Sequence, residues 1–429
     1  MDNHWKKFIP ACMSGNIIEL YQFIIYGYFA PIIGKAFFSS ADRYTALLAT
    51  FTVFATGSVV RPFSATLLGY LGDKLGRRIA LITSISMMAL STLGIGLLPT
   101  YTDIGIAAPL MLLGFRVCQG LSMTGEEIGA ALFLMENADQ HEKGYASCFI
   151  LGSVYVGLFL GAVVSALLFL FLCEPLLSAW GWRIPFLLGG IIGLITLIFR
   201  IRQPESHEFK AVLLRHKKSS NPFIDLLKSS KLSVLRITFL YALYAVAIYL
   251  FAVYIPNMLH SLAIAKYAIM LLCSIVFILT FFISLWIGKI SDKIGSTIPL
   301  LISTIGFFIF AYPLFYLLSL QSLLAVIIAY GLFALLLGIS AGSIMYPAIS
   351  CFPVTTRFSG SCIAFNLSMS LFGGTAPLLA LYLTNLTHHP VAPALLIMAT
   401  AILTLIAIAT ENKPIEEMTN DHQISCQIG

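Results

Sequence analysis

The chain has 429 residues, 59% of them hydrophobic and only 10% charged, with a mean hydropathy of +0.93. A soluble domain carries about 25% charged residues, so this composition excludes a soluble globular protein and makes the bilayer the solvent for most of the chain. The net charge of +6 sits in short segments between apolar runs, with no basic patch on a soluble surface, which excludes a nucleic-acid binder.

In hydrocarbon only helices and closed barrels satisfy their backbone polar groups. Long continuous apolar runs such as residues 323–337 exclude the alternating pattern of a barrel. The polar punctuation predicts an all-α, polytopic membrane protein with twelve transmembrane helices, over residues 12–38, 45–71, 79–98, 105–135, 145–172, 184–200, 234–258, 265–288, 298–318, 322–350, 359–383 and 391–410. The first run is too long for a signal h-region and leads straight into a second, so no cleaved leader is expected.

The first span carries Asn16, Glu19, Gln22 and Tyr26. Glu19 and Gln22 share a face by i, i+3 spacing, joined by Tyr26 at i+7. The second span carries Arg61 and ends in a glycine-rich basic turn, with Gly69, Asp73, Gly76, Arg77 and Arg78. The fourth carries Arg116, Gln119, Glu126 and Glu127, and the fifth Tyr155. The longest polar stretch, residues 200–233, follows the sixth span and reads as a linker between an N-terminal bundle (1–199) and a C-terminal bundle (234–410), with a tail over 411–429. The seventh span carries Tyr244. After the eighth, Gly288, Asp292, Lys293 and Gly295 repeat the spacing of Gly69, Asp73, Lys74 and Gly76. The eleventh carries Asn366. Duplicated halves mark secondary transporters, whose substrate site lies near the midplane between repeats. Asp73 and Asp292, each in its turn, are therefore candidate gating-loop residues.

With the N-terminus inside, all Lys and Arg other than Lys35, Arg43, Arg183, Lys266 and the intramembrane Arg61 and Arg116 fall on the inner side. The positive-inside rule then places both termini in the cytoplasm. The eight cysteines are scattered without a CxxC pair, so neither a disulfide framework nor a zinc site is expected. The histidines lie in tails, loops and helix ends, and the adjacent His388-His389 pair lacks ligand spacing. No metal and no cofactor is expected.

The informative residues are the intramembrane charges Glu19, Arg61, Arg116, Glu126 and Glu127, all in the N-terminal half. A charge at the bilayer centre costs on the order of 3 kcal/mol on insertion scales, so such groups face a bundle interior or a wet cavity and pair. From helix rise, Glu19 and Arg61 lie ~18 Å and Glu127 ~13 Å from the inner anchors, near one level. Glu127 falls within ~20° of the Arg116 face and Glu126 ~80° from it. Glu19, Arg61 and one of Glu126 or Glu127 form the candidate proton-coupling cluster, since making or breaking an ion pair sets a carboxylate's proton affinity. A fixed ion pair that holds the helices together is the competing reading. A polar and aromatic strip of Asn16, Gln22, Tyr26, Arg116, Gln119, Tyr155, Tyr244 and Asn366 is the candidate substrate lining. Tyrosine faces suit a quaternary ammonium, and Arg61 and Arg116 suit one carboxylate.

Residues 69–78 resemble the loop signature of the major facilitator superfamily. More narrowly, the chain resembles the metabolite–proton symporter family, which includes proline/betaine, α-ketoglutarate, citrate and shikimate permeases. The resemblance rests on Gly15-Asn16 with Glu19, Tyr21, Gln22 and Phe23; Tyr26-Gly27-Tyr28; Arg61-Pro62; Arg116, Gln119-Gly120 and Ser122 with Gly125-Glu126. It continues through Gly181-Trp182-Arg183-Ile184-Pro185-Phe186, Phe352-Pro353 with Arg357, Asn366, and Phe372-Gly373-Gly374-Thr375-Ala376-Pro377. It implies a monomeric multi-pass protein of the bacterial inner membrane that takes up a small molecule with protons by alternating access. Proline or betaine is favoured and an organic acid is next; a proton-uncoupled facilitator or exchanger, or a non-transporting sensor, are the alternatives. It implies no enzyme chemistry. The chain departs from the family at Gln22, where the family has Asp, and at Glu127, where it has Tyr. It departs again at Lys74, where the family has Arg, and at Ser296-Thr297, where basic residues are usual.

Overall fold

The computed structural model describes residues 4–38, 42–64, 77–123, 126–202, 231–259, 265–320, 322–353 and 356–410. Gly69, Asp73 and Gly76, the linker residues 203–230 and the tail from 411 lie outside the described residues, as do the side chains of Arg77, Arg78 and Glu126.

All regular secondary structure among the described residues is helical. Nine described helices are long and apolar enough to cross a membrane: Trp5–Tyr28, Tyr44–Ser64, Lys143–Phe171, Gly181–Ile198, Lys231–Leu259, Lys266–Ile294, Thr297–Ser319, Leu323–Ser350 and Arg357–Thr387. Two shorter apolar helices, Ile82–Leu97 and Ala394–Ala409, fall on the third and twelfth predicted spans. The fourth is Ala107–Ser122 followed by Glu126–Asn137. Large apolar side chains such as Phe63, Trp286 and Leu324 point outward, as expected where lipid replaces water. The seventh span is the exception: 94% of its apolar window is buried, against 61% or less in the other eight. It is therefore an axial helix wrapped by both halves.

The first predicted span, 12–38, is two helices, Ile9–Tyr28 and Ala30–Phe37, with a break at Phe29. Pro31 near the start of the second has no N–H to return to the Gly27 carbonyl. That freed carbonyl accepts from Asn257 Nδ2 of the seventh span at 2.8 Å. The fourth span, expected unbroken over 105–135, leaves helical geometry at Met123 (ψ 80°). Its exposed last carbonyls are taken by hydroxyls of neighbouring spans, Ser64 Oγ on Leu121 O and Ser84 Oγ on Ser122 O, both at 2.7 Å. The seventh and eleventh spans each contain a π-helical turn, Leu250–Tyr254 and Met369–Gly373. Such bulges concentrate at functional sites, and these two border the central cavity.

Helix starts outside the membrane core are capped conventionally. Asp42 accepts from the Tyr44 and Thr45 amides at 2.8 and 3.0 Å and from the Thr45 hydroxyl at 2.7 Å. Those bonds hold its carboxyl below the usual carboxylate range. Asp103, accepting from Thr100 N and Oγ1 at 2.8 Å, is lowered in the same way.

Candidate functional site

A cavity of about 40 Å³ lies between the two halves, room for roughly three water molecules. Arg61 and Glu127 face it from the N-terminal half, with Leu20, Phe23, Met123 and Val154. Tyr244, Tyr249, Ala252, Phe365 and Met369 face it from the C-terminal half. A smaller adjoining pocket is lined by Glu19, Arg61, Met123, Glu127, Phe365 and Asn366. The predicted charges Glu19, Arg61 and Glu127 thus converge on one space.

Arg61 is 5% exposed and poorly satisfied. One terminal nitrogen donates to Met123 Sδ at 2.9 Å, and a thioether is a weak acceptor. Its guanidinium carbon lies 4.8 Å from the Phe23 ring centre, while Nε has no hydrogen-bond partner. Arg61 and Glu127 share the cavity without a direct ion pair. A guanidinium this buried and this weakly bonded is poised to take an anionic oxygen.

Arg116 has a different environment. It is fully buried in an aromatic box, 4.4 Å from the Phe23 ring, 4.5 Å from Tyr26 and 5.0 Å from Phe54. It donates to Gln119 Oε1 at 2.7 Å, and its Nε and one terminal nitrogen lack hydrogen-bond partners. Phe23 stands against both guanidinium groups and keeps Arg116 off the cavity wall. Cation–π contact replaces part of the lost hydration.

The predicted substrate strip divides. Tyr244 and Asn366 face the two pockets. Asn16 instead donates to Ile150 O and Ser153 Oγ, Gln22 to Gly189 O, Tyr26 to Thr50 O and Gln119 to Thr92 Oγ1. These four therefore join helices and do not line the cavity, because in a membrane core a polar side chain is drawn to the nearest free carbonyl or hydroxyl. Tyr155 and Tyr244, from the fifth and seventh spans, lie side by side across the interface. Their hydroxyls face each other at the edge of hydrogen-bond geometry. Phe23, Met123 and Tyr249 were missed as lining residues. Phe23 stands at i+4 from Glu19, so helical spacing was its available signal, whereas Met123 lies across the helix break from Glu127, where that spacing does not hold. Tyr249 had none.

The halves touch at both ends of the cavity. At one end Asp292 accepts from the Gly144 and Tyr145 amides, each at 2.8 Å, which caps the fifth span with a carboxylate from the eighth. A side chain at Gly144 would collide with that carboxylate. Glu142 beside it takes the Trp5 indole N–H at 2.9 Å and faces Lys6 at 3.8 Å. At the opposite end Asn257 holds Gly27 O, Ser370 Oγ donates to Val59 O at 3.3 Å, and Lys266 pairs with Glu174 at 2.9 Å. Lys266 holds the Glu174 carboxyl below its usual range. Among the described residues, the halves are thus in contact on both sides of the cavity.

The description of the Major Facilitator Superfamily matches residues 12–377. The chain belongs to that superfamily. It is a multi-pass membrane transporter, not an enzyme. A provisionally named proline/betaine transporter of Staphylococcus aureus (strain MSSA476) is 32% identical over 411 residues, covering 94% of this chain and 87% of the relative. The proline/betaine transporter of Escherichia coli (strain K12) is 29% identical over 432 residues, covering 97% and 86%. Among solved structures, a D-xylose–proton symporter superposes with a TM-score of 0.72 at 16% identity, over 92% of this chain and 96% of that one. A partially occluded, inward-open xylose transporter from E. coli gives 0.73 at 14% identity, over 94% and 98%. These structures establish the fold.

Proposed function

We propose that this superfamily member is a proton-coupled importer of a small zwitterion of the proline/betaine class. It works as a monomer in the inner membrane, with both termini in the cytoplasm and two six-helix bundles (1–199 and 234–410) rocking about the cavity. The observation that carries the reading is the convergence of Glu19, Arg61 and Glu127 on one space between the halves. A zwitterion needs a cation for its carboxylate and aromatic or anionic surface for its nitrogen. Arg61 supplies the first and the ring faces of Phe23, Tyr244 and Tyr249 the second. The relatives' names support the same class.

Coupling follows from the charges. A carboxylate that loses its cation when the halves rock must find compensation, and a proton supplies it. Glu19 and Glu127 are the candidate carriers on the described cavity wall. Glu126 directly precedes Glu127 in sequence. Gln22 donates to Gly189 O, so the position where the resembled family holds Asp is tied to the sixth span. That supports a second reading, an uncoupled facilitator.

Uptake into proteoliposomes tests both. Labelled proline, glycine betaine, α-ketoglutarate, citrate and shikimate are offered with and without an inward proton gradient. With one proton per substrate, a gradient of two pH units supports ~100-fold accumulation, since each unit is worth about 1.4 kcal/mol. Glu19→Gln or Glu127→Gln should abolish that accumulation and leave counterflow exchange intact. Equal, non-concentrative uptake in both conditions selects the facilitator, and full accumulation by both variants refutes the coupling cluster.

A further inference from the structure

The two amides that Asp292 takes, those of Gly144 and Tyr145, are the second and third of the fifth span. These are the amides that the residue preceding a helix ordinarily caps with its own side chain. Here that residue is Glu142, and its side chain makes no capping bond. It is turned the other way. One carboxylate oxygen accepts the Trp5 indole N–H at 2.9 Å, and the other faces Lys6 Nζ at 3.8 Å. Glu142 and Asp292 remain within electrostatic reach of each other, two carboxylates at one helix start. With Glu142 on the amides, Asp292 would lose its donors and meet a like charge. Trp5 and Lys6 belong to a 3-10 turn, His4–Phe8, at the head of the first span. The turn is firmly seated. Trp5 is 2% exposed and lies edge-on to Tyr145 and Phe149, each with ring centres 6.1 Å away. Phe8 packs edge-on to Phe133 of the fourth span at 5.3 Å. The Tyr145 ring also receives Lys289 Nζ at 4.8 Å, one helical turn before Asp292 on the eighth span. The turn, the start of the fifth span and the end of the eighth therefore form one chain of contacts.

Resting on the reading of two bundles that rock about the cavity, we propose that Trp5 and Lys6 are positioning residues of this end. They draw Glu142 off the amides of its own helix and leave those amides to Asp292 of the other half. When Asp292 withdraws, the amides are orphaned, and Glu142 leaves Trp5 to cap them. Glu142 is thus an alternative cap, held in reserve while Asp292 is in place. The turn sets the balance between closed and open at this end without touching the cavity.

Alkylation of Cys148 by a small maleimide tests this, in the full-length protein in lipid nanodiscs and read by mass spectrometry. Cys148 is buried four residues beyond Gly144, so it reports opening of this end. Trp5→Phe keeps the aromatic packing and deletes the N–H donor. It should raise labelling about fivefold, the scale of a bond to a charged group discounted for a part-exposed carboxylate. In a Glu142→Ala background the same substitution should change labelling by less than about twofold, since no competitor is left to release. A purely packing role for Trp5 predicts the same rise in both backgrounds, and that result overturns the proposal. Glu142→Asp is one methylene shorter and a preferred cap, so it should raise labelling with Trp5 intact. It decides the matter if Trp5→Phe does not fold, and unchanged labelling in it refutes the alternative cap. Labelling that rises in Asp292→Ala but not in Trp5→Phe removes the positioning role and leaves the rocking bundles. Labelling that stays flat in Asp292→Ala as well removes both.

Discussion

The two ends of the cavity are closed by different chemistry. One is closed by charge: Asp292 accepts from two backbone amides at the start of the fifth span, and Glu142 joins Trp5 and Lys6 beside it. The other is closed mainly by neutral groups, an Asn257 amide on Gly27 O and a Ser370 hydroxyl on Val59 O. Its ion pair, Lys266 with Glu174, has its acidic side chain 70% exposed. Bonds to a charged acceptor are worth about 1.5–3 kcal/mol and neutral ones about 0.5–1.5 kcal/mol, while exposed ion pairs are worth about 0–1 kcal/mol. On this scale the charged end is expected to be the firmer gate and the neutral end to open first.

Two buried cysteines report on the ends separately. Cys148 lies four residues beyond Gly144 with Sγ 3.2 Å from Gly342 O. Cys273 lies seven residues beyond Lys266 with Sγ 3.6 Å from the Tyr330 hydroxyl. Alkylation by a small maleimide, read by mass spectrometry on each peptide, measures opening. The largest effect belongs to Asp292→Ala. Losing both capping bonds, discounted for the half-exposed site, should shift the closed–open balance by about 1–3 kcal/mol, a 5- to 150-fold change. Cys148 labelling should rise accordingly with little change at Cys273. Gly144→Ala places a methyl against the same carboxylate and should raise Cys148 labelling in the same direction. Unchanged Cys148 labelling in both variants would mean the charged end is not the gate.

Asn257→Ala removes the one neutral bond this side chain makes between the halves, along with its bond to Val253 O, and should raise Cys273 labelling about fivefold, near 1 kcal/mol. A larger effect than that of Asp292→Ala would reverse the comparison. The smallest effect is the pH response of the Lys266–Glu174 pair. Glu174 is lowered by Lys266, so its contribution is complete above the ordinary carboxylate value of about 4.3. It is lost only as pH falls through the lowered value. Cys273 labelling, normalised at each pH to that of the unfolded chain because only the thiolate reacts, should be flat from pH 7 to about 5 and rise less than about fivefold in stronger acid. A midpoint near neutrality would assign the opening to another group.

The two arginines sharpen the comparison inside the cavity. By sequence they are alike, one per helix and both intramembrane. In the structure one faces carboxylates and the other aromatic rings, with Phe23 between. Spacing put Glu127 within ~20° of the Arg116 face, yet Glu127 lines the Arg61 cavity, because the fourth span breaks after Met123 and helical phase is not carried across the break. Similarly, Asn16, Gln22, Tyr26 and Gln119 read as lining because polar residues in an apolar span point inward. Inward includes helix–helix seams as well as the cavity, and only packing distinguishes them.

The sequence by itself determined that the chain is helical and membrane-embedded, which apolar segments fill the bilayer, and that Glu19, Arg61 and Glu127 lie near one level. Those follow from local quantities: residue polarity, run length and rise per residue. Tertiary structure alone decided which charges share a cavity, where Pro31 hands a carbonyl to Asn257, and that Asp292 caps the fifth span. These depend on contacts between residues 148 and 230 positions apart, and nothing in a linear pattern fixes the rotation and approach of helices so far separated along the chain.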